Sequence, residues 1–274
     1  MTARVGSVMS FDLLEEAKRI IGIESESSQG TESLVRHLCS LCAPFDLTLE
    51  TQSLALRGVS QVNLLAEKGP TTADRVLFVT HLDTVPAGER ALWTECGGNP
   101  FRATVKGDDL YGLGSADAKV DILCKLKAAE RFVGVAFRNR LTILGTFGEE
   151  IGLLGARHFL EQRGTDFRYA LVGEPSDLEI VTAHKGYIVW EAALHIREPG
   201  SSSSQEDWAS VLFRGQEAHS STPDLGDNAI ERALSWLSRV IASRGGDFAV
   251  GGAQGGDAVN RVPSRCTLIV PRSA

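Results

Sequence analysis

Three short apolar segments, each followed by a metal-ligand type of side chain, constrain the fold of this chain most strongly. The segments cover residues 75–79, 141–147 and 169–172, and segments with helical periodicity lie between them. Because strands that alternate with helices form parallel sheets, the pattern predicts an α/β fold with a largely parallel open sheet flanked by helices. In such a sheet the carboxyl ends of the strands share one edge, where ligands bind.

Imidazole and carboxylate side chains follow each of these strands. A Gly-rich loop, 111–119, contributes one more carboxylate just before the next predicted helix. The residues concerned are His81 and Asp83 after the first strand, Asp117 in the loop, Glu149 and Glu150 after the second strand, and Glu174 after the third. We expect these side chains to converge at one edge of the sheet.

This set of side chains favours a divalent transition metal. Carboxylates gathered in one crevice repel each other strongly unless a cation offsets their charge. One imidazole with several carboxylates suits zinc, cobalt or manganese better than calcium or magnesium, whose sites rarely use histidine. A carboxylate that bridges two metals is typical of two-metal hydrolases, and adjacent glutamates can divide metal ligation and proton transfer between them.

Each position also has a purely structural interpretation. His81 can be a buried histidine bonded to Asp83, and Asp117 can cap the following helix. Glu149 and Glu150 can be favourable charges in the first turn of a helix, and Glu174 can be an ordinary turn residue before a proline. These interpretations explain the positions one at a time. They do not explain why each apolar strand stops at a ligand-type residue.

Composition excludes several other classes of protein. The chain has 274 residues, of which 43% are hydrophobic and 23% charged, as is usual for a soluble globular protein of one or two domains. Its net charge of −7 argues against nucleic-acid binding, and no apolar run is long enough for a membrane span. The odd number of scattered cysteines predicts a cytoplasmic protein. The Cys39-x-x-Cys42 pair is interpreted as buried small hydrophobic side chains in a helix.

A second, smaller α+β domain is predicted for residues 184–274, after a first domain that covers 1–183. The alternation of strand and helix gives way there to a different order of elements. These are a strand at 186–196, a polar Ser-rich loop at 199–207, a strand at 208–213, an amphipathic helix at 228–243, a Gly-rich loop at 245–256 and a strand at 266–270.

Four motifs resemble those of the co-catalytic zinc aminoacylase and exopeptidase superfamily, which includes acetylornithine deacetylase, succinyl-diaminopimelate desuccinylase and glutamate carboxypeptidase. They are His81-Leu82-Asp83-Thr84-Val85-Pro86, Gly112-Leu113-Gly114-Ser115-Ala116-Asp117-Ala118-Lys119, Gly148-Glu149-Glu150-Ile151-Gly152 and Gly173-Glu174-Pro175-Ser176. The motifs occur in this order, and the resemblance covers nearly the whole chain.

The resemblance implies two zinc ions, with cobalt or manganese as alternatives, and a role for each residue. His81 would bind the first metal and Asp83 would orient that histidine. Asp117 would bridge the metals and would be followed by a cis peptide bond to Ala118. Glu149 would be the general base, and Glu150 and Glu174 would each bind one of the two metals.

Residues 184–274 resemble the lid and dimerisation domain of the same superfamily. His219 and Asn260 lie in lid motifs whose His and Asn contact substrate, so the resemblance implies a homodimer formed through this domain. From the residues alone, His219 is equally interpreted as a surface loop residue. The Ser-rich stretch around 201–204 is interpreted as an insertion between lid strands.

The implied activity is removal of the acyl group from an N-acyl amino acid, as in acetylornithine deacetylase. The enzymatic alternative is a di- or tripeptidase or a carboxypeptidase that acts on a short peptide. Superfamily members continue beyond this point and supply a last His ligand, whereas this sequence ends soon after Val270-Pro271-Arg272. We therefore expect a truncated chain with two incomplete domains and an incomplete second metal site. A non-catalytic remnant or association module is the alternative of another class.

Overall fold

The computed structural model describes residues 10–71, 74–186, 188–192, 208–244 and 248–272. The chain forms two compact units, Met1–Ile180 and Val181–Ala274. The predicted domain boundary between residues 183 and 184 lies close to this division. None of the helices in the described ranges is long and apolar enough to cross a membrane.

The first unit contains one five-stranded sheet and one short hairpin. In chain order the strands are β1 (Thr48–Leu56), β2 (Val59–Lys68), β3 (Arg75–His81), β4 (Thr104–Lys106), β5 (Asp109–Tyr111), β6 (Arg140–Thr146) and β7 (Tyr169–Val172). The large sheet has the order β1-β2-β6-β3-β7, and β4 pairs with β5.

The sheet is mixed, and its parallel part is the part that carries the ligand-type residues. Strands β6, β3 and β7 are parallel, as predicted. Strands β1 and β2 form an antiparallel hairpin, and β2 also pairs antiparallel with β6. The hairpin turn is Arg57-Gly58, with φ of 49° and 82°, a two-residue turn that only an antiparallel pair can use. Within this hairpin the sequence pattern predicts a strand only over residues 62–65, which belong to β2, and predicts none over β1.

The described residues of this unit form four α-helices, and each begins one to three residues later than the starts at 11, 31, 117 and 151 that the sequence pattern predicts. They are α1 (Leu13–Ile21), α2 (Glu32–Cys42), α3 (Lys119–Glu130) and α4 (Leu154–Arg163). The sequence predicts that Ser10 caps α1. This prediction is wrong, because the carboxylate of Asp12 accepts the hydrogen bond from the Glu15 amide at 2.9 Å. Thr31 stands at the N-cap position of α2, but its side chain makes no capping bond. A carboxylate next to the first turn satisfies amides that a more distant serine cannot reach.

The core lies on both faces of the sheet. On one face, apolar side chains of α1, α2 and α3, such as Ile20, Leu38 and Ile122, pack against Leu64 of β2. On the other face, Phe159 of α4 packs against strand side chains that include Leu65 and Leu144. Leu64 and Leu65 are adjacent and so point to opposite faces. Burial on both faces explains why these strands are continuously apolar.

The cysteine pair of α2 is part of this core. Cys42 is fully buried in the cluster on the α1–α3 face, and Cys39 packs against it. Burial raises the pKa of Cys42 to about 12, so its thiol stays protonated at neutral pH. This supports the interpretation of the pair as small hydrophobic side chains.

The described residues of the second unit form a three-stranded antiparallel sheet and one α-helix. These elements are β8 (Trp208–Arg214), α5 (Ala229–Arg244), β9 (Gly252–Gly255) and β10 (Arg265–Pro271), and the strand order is β8-β10-β9. The predicted helix and the strands at 208 and 266 are confirmed. Strand β9 is a correction, because the Gly-rich stretch was predicted as a loop.

Two predicted features of the second unit fall partly or wholly outside the described residues. The Ser-rich loop at 199–207 lies outside them, as do residue 187 and residues 193–196 of the predicted strand. Residues 186 and 188–192 of that strand are described and have no strand structure, which contradicts this part of the prediction. An alternating pattern alone does not supply the neighbouring strand that the ladder requires.

Thr31 joins α2 to the sheet through two hydrogen bonds. Its buried hydroxyl donates to the Val62 carbonyl at 2.7 Å and accepts from the Val62 amide at 2.9 Å. We expect Thr31→Val to lower the free energy of unfolding by about 1–3 kcal/mol, because it leaves two buried groups unpaired. Urea unfolding followed by circular dichroism measures this. The matched control is Thr51→Val on exposed β1, which should change stability by less than about 0.5 kcal/mol. Equal effects of the two substitutions would contradict this account.

Candidate metal centre

The carboxyl ends of β3, β6 and β7 lie side by side. His81, the last residue of β3, is in register with Thr146, the last residue of β6, and Val79 is in register with Val172, the last residue of β7. The segments that follow these strands therefore leave the sheet at one edge.

His81 is almost completely buried, and its orientation is fixed through both ring nitrogens. Nδ1 lies 3.0 Å from the carbonyl oxygen of Asp83, and Nε2 lies 2.8 Å from a carboxylate oxygen of Asp117. Since a carbonyl only accepts hydrogen bonds, Nδ1 carries a proton. Nε2 is thus the nitrogen available as a ligand, and a backbone carbonyl is a common partner for the other nitrogen of a ligating histidine.

The carboxylate of Asp83 lies near the imidazole of His81, whose orientation is fixed by the backbone carbonyl of the same residue. Its nearest oxygen is 3.8 Å from His81 Nδ1, so the backbone carbonyl orients the imidazole. The carboxylate accepts hydrogen bonds from the Ser27 hydroxyl at 2.7 Å, the Glu149 amide at 3.0 Å and the Glu150 amide at 3.3 Å. Asp83 therefore holds the histidine and the two glutamates in one arrangement.

Ser27 contacts Asp83 and was not predicted from the sequence as part of the site. It lies in the segment between α1 and α2, far from Asp83 in the chain, and is buried. A serine in such a segment has many structural interpretations. Only the packing of this segment against the end of β3, where the Ser27 amide also donates to the Thr84 carbonyl, shows its role.

The structural interpretations of Asp117, Glu149 and Glu150 as helix-terminus residues do not match their positions. Asp117 does not cap α3, because Ala118 stands at the N-cap and no side chain caps this helix. The Asp117–Ala118 peptide bond is cis, as the resemblance implied. Glu149 and Glu150 precede α4, which begins only at Leu154, so they are not charges of its first turn.

Two groups of ligand-type atoms share His81. The first group is His81, Glu149 and Glu150, and the second is His81, Asp117 and Glu174; within each group the candidate ligand atoms lie within 4.8 Å of one another. One nitrogen and several carboxylate oxygens form a donor set that suits zinc, cobalt or manganese. The residues present therefore fit a divalent metal, and the side chains predicted from the strand ends do lie together.

The electrostatics of the site also favour a cation. Burial lowers the pKa of His81, but the Asp117 hydrogen bond and the neighbouring carboxylates outweigh this and raise it to about 9. Burial and the charges of Asp117 and Glu149 raise the pKa of Glu150 to about 7. The pKa values of Glu149 and Glu174 are raised as well, chiefly by burial. A divalent cation would offset the repulsion that these shifts reflect.

The two predicted substrate contacts, His219 and Asn260, are neighbours in the second unit. The Ser220 amide donates to the Asn260 carbonyl at 2.9 Å, and the Val262 amide donates to the Ala218 carbonyl at 2.8 Å. The Ser221 amide donates to His219 Nδ1 at 3.2 Å, so the proton of the neutral ring is on Nε2. His219 is exposed, and this tautomer presents a hydrogen-bond donor to solvent.

The sequence matches two family models. Residues 77–235 match peptidase family M20/M25/M40, and residues 207–271 match the peptidase dimerisation domain. The first match covers more than half of the chain and includes every residue of the candidate metal centre. The chain therefore belongs to peptidase family M20/M25/M40.

The chain is also similar to curated proteins, among them two acetylornithine deacetylases. Acetylornithine deacetylase of Proteus mirabilis is 31% identical over 265 residues, which are 91% of this chain and 62% of that protein. Acetylornithine deacetylase of Photorhabdus laumondii is 32% identical over 256 residues, which are 88% of this chain and 60% of that protein. The chain spans about three fifths of the length of these relatives. Among solved structures, human carnosine dipeptidase 1 is 15% identical with a TM-score of 0.51, over 94% of this chain and 69% of its own, and shares the fold.

The raised pKa values predict how stability depends on pH when metal is removed with a chelator. Glu150 binds its proton more tightly in the folded state, so stability should fall as pH rises from about 4.5 to 7. The stability that His81 contributes is complete below about 6.5 and is lost towards pH 9. Above about pH 8 the lowered pKa of buried Lys119 acts in the opposite direction. We therefore expect the urea midpoint of the chelator-treated protein to decrease from pH 5 to pH 8.

A single substitution measures how much Glu150 contributes to this pH dependence of stability. Glu150→Gln should flatten the curve between pH 5 and 7, whereas Glu161→Gln, at an exposed position of α4, should leave it unchanged. A midpoint that rises with pH, or a slope that Glu150→Gln does not alter, would show that the charges of this site do not govern the dependence.

Proposed function

We propose that this chain is part of a metal-dependent amidohydrolase that removes the acyl group from an N-acyl amino acid. The observation that carries the proposal is the convergence of His81 with four carboxylates at one sheet edge, where candidate ligand atoms lie within 4.8 Å in two groups. The acetylornithine deacetylases that resemble the chain at about 30% identity support an N-acetyl amino acid as substrate.

His81, Asp117, Glu150 and Glu174 would hold the metal, for which zinc is the proposed identity and cobalt or manganese the alternative. A divalent metal supplies, when bound, a polarised scissile carbonyl and a more acidic water. Nδ1 of His81 stays bonded to the Asp83 carbonyl, which aims Nε2 at the site. Asp83 also holds the Glu149 and Glu150 amides, so it fixes the backbone that carries a ligand and a base.

Glu149 is proposed as the general base. Its carboxylate would accept a proton from the attacking water and return that proton to the leaving amine. Its raised pKa, caused chiefly by burial, brings proton acceptance closer to neutral pH. Glu150 lies beside it and is assigned to the metal by the family resemblance.

The second unit would contribute to substrate binding and assembly. His219, with its Nε2 proton presented to solvent, is proposed to donate to the developing oxyanion, and Asn260 on the adjacent segment to contact the substrate. The match to the dimerisation domain supports a homodimer formed through residues 184–274. The free cysteines, of which Cys42, Cys96 and Cys266 are buried, are consistent with the proposed cytoplasmic location.

The proposal is tested with the purified 274-residue chain. We expect bound zinc by elemental analysis and hydrolysis of N-acetyl-L-ornithine faster than hydrolysis of dipeptides. Glu149→Gln should lower kcat by about 10²–10⁴-fold while zinc remains bound, because it removes the base and keeps the shape of the side chain. Glu161→Gln is the control on the exposed side of α4.

Each outcome separates the candidate functions. Hydrolysis of dipeptides in preference to N-acetyl amino acids would indicate the peptidase alternative. A chain with neither zinc nor turnover would indicate an association module instead of an enzyme. Loss of zinc in Glu149→Gln would contradict the assignment of Glu149 as base and not ligand.

A further inference from the structure

A buried lysine on α3 connects this helix to the end of β3. Lys125 Nζ lies 2.5 Å from the Val79 carbonyl oxygen, 2.8 Å from the Thr80 hydroxyl and 2.5 Å from a carboxylate oxygen of Asp121. The Thr80 hydroxyl in turn donates to the same Asp121 carboxylate. The three ammonium protons thus have three acceptors, which is the full capacity of the group.

Lys125 and Thr80 are buried more deeply than the groups of an ordinary surface ion pair, whereas the side chain of Asp121 is 34% exposed. The Lys125 side chain is 9% exposed, and Thr80 is fully buried. An ammonium group in such surroundings is stable only while its partners remain in place. The positions of Val79, Thr80 and Asp121 are therefore fixed relative to one another.

The same cluster reaches the end of β7 through Gly173. The Gly173 amide donates to the Val79 carbonyl at 2.8 Å, so this carbonyl accepts from both Gly173 and Lys125. Asp121 lies directly against Gly173, where an added Cβ atom would be 2.0 Å from the Asp121 carboxylate oxygen. Only glycine at this position lets Asp121 reach Thr80 and Lys125.

The cluster of Lys125, Thr80 and Asp121 connects three elements, and each element adjoins one residue of the second metal group. Thr80 precedes His81, and Gly173 precedes Glu174. Helix α3, which carries Asp121 and Lys125, begins just after Asp117. The three ligand-type residues His81, Asp117 and Glu174 come from three separate elements, and the cluster ties those elements together.

We propose that Asp121 and Lys125 are positioning residues for the metal group His81, Asp117 and Glu174. They touch none of the reacting atoms and act by holding the backbone that carries the three ligands. This inference rests on the proposed function, because it concerns metal binding by that group. Ligands held close to their productive geometry need such support, and loss of outer partners typically weakens metal binding 10–100-fold.

The chain offers a matched control on the same helix. Lys127 also pairs with a carboxylate, that of Glu130, and donates to the Phe11 carbonyl. Its partners belong to α3 and to the N-terminal segment, not to the ends of β3 and β7. A general loss of helix anchoring would therefore affect Lys127→Met and Lys125→Met alike.

Zinc affinity is measured by competition with a chromophoric chelator, and the urea midpoint of the zinc-free protein is measured in parallel. We expect Lys125→Met and Asp121→Asn to weaken the affinity of one zinc site about 10–100-fold. Lys127→Met should leave zinc affinity within about twofold of the wild type, even where it lowers the urea midpoint as much.

A double-mutant cycle tests the contact between Gly173 and Asp121 directly. Gly173→Ala should weaken zinc binding in the wild-type background, because its Cβ displaces the Asp121 carboxylate. In the Asp121→Ala background, the atoms that the Cβ meets are gone, so Gly173→Ala should cause little further loss.

The outcomes separate the two proposals. If the wild type binds zinc and neither Lys125→Met nor Gly173→Ala changes that binding, the positioning role alone is overturned. Equal zinc losses in Lys125→Met and Lys127→Met, or additive losses in the Gly173 and Asp121 cycle, overturn it as well. A wild-type chain that binds no zinc overturns the proposed function and the positioning role together.

Discussion

The rest of the site depends on the buried residue Asp83. Its carbonyl fixes the tautomer and direction of His81, and its carboxylate accepts hydrogen bonds from Ser27, Glu149 and Glu150. A single residue thereby joins the end of β3 to the segment after β6 and to the segment between α1 and α2. A fully buried carboxylate is stable here because three donors satisfy it. The backbone that carries His81, Glu149 and Glu150 consequently has a fixed position before any ligand binds.

Because these carboxylates are held close together, the site also favours binding of a cation. The pKa values of Glu149, Glu150 and Glu174 are raised, in each case chiefly by burial. The pKa of His81 is raised because the neighbouring carboxylates outweigh the effect of its burial. These groups therefore compete for protons. A divalent metal would replace those protons. The ion pair of Lys125 and Asp121, together with Thr80, lies behind the ligands and joins the strand ends. Helix α3 begins just after the candidate ligand Asp117 and itself carries Asp121 and Lys125.

Much of the fold and of the site was predictable from the sequence, because short-range patterns encode it. Apolar segments that end at His81 or are followed by Glu149 or Glu174 indicated where the parallel strands stop, and topology then placed their ends together. The predictions were wrong or incomplete where contacts between residues far apart in the chain determine the structure. Thr31 bonds to β2 and does not cap α2, and Ser27 reaches Asp83 only in the folded chain. The Asp83 carboxylate accepts hydrogen bonds from the backbone of two glutamates and also lies 3.8 Å from the imidazole, an arrangement that residue types do not show.

The central claim is that His81 and carboxylates of this sheet edge bind a divalent metal. X-ray absorption at the zinc edge tests it most directly. The account predicts a shell of nitrogen and oxygen ligands at about 2.0–2.2 Å, an imidazole contribution that His81→Ala removes, and no sulfur. A sulfur shell at about 2.3 Å, which would point to the cysteines, or a spectrum that His81→Ala leaves unchanged, would contradict it.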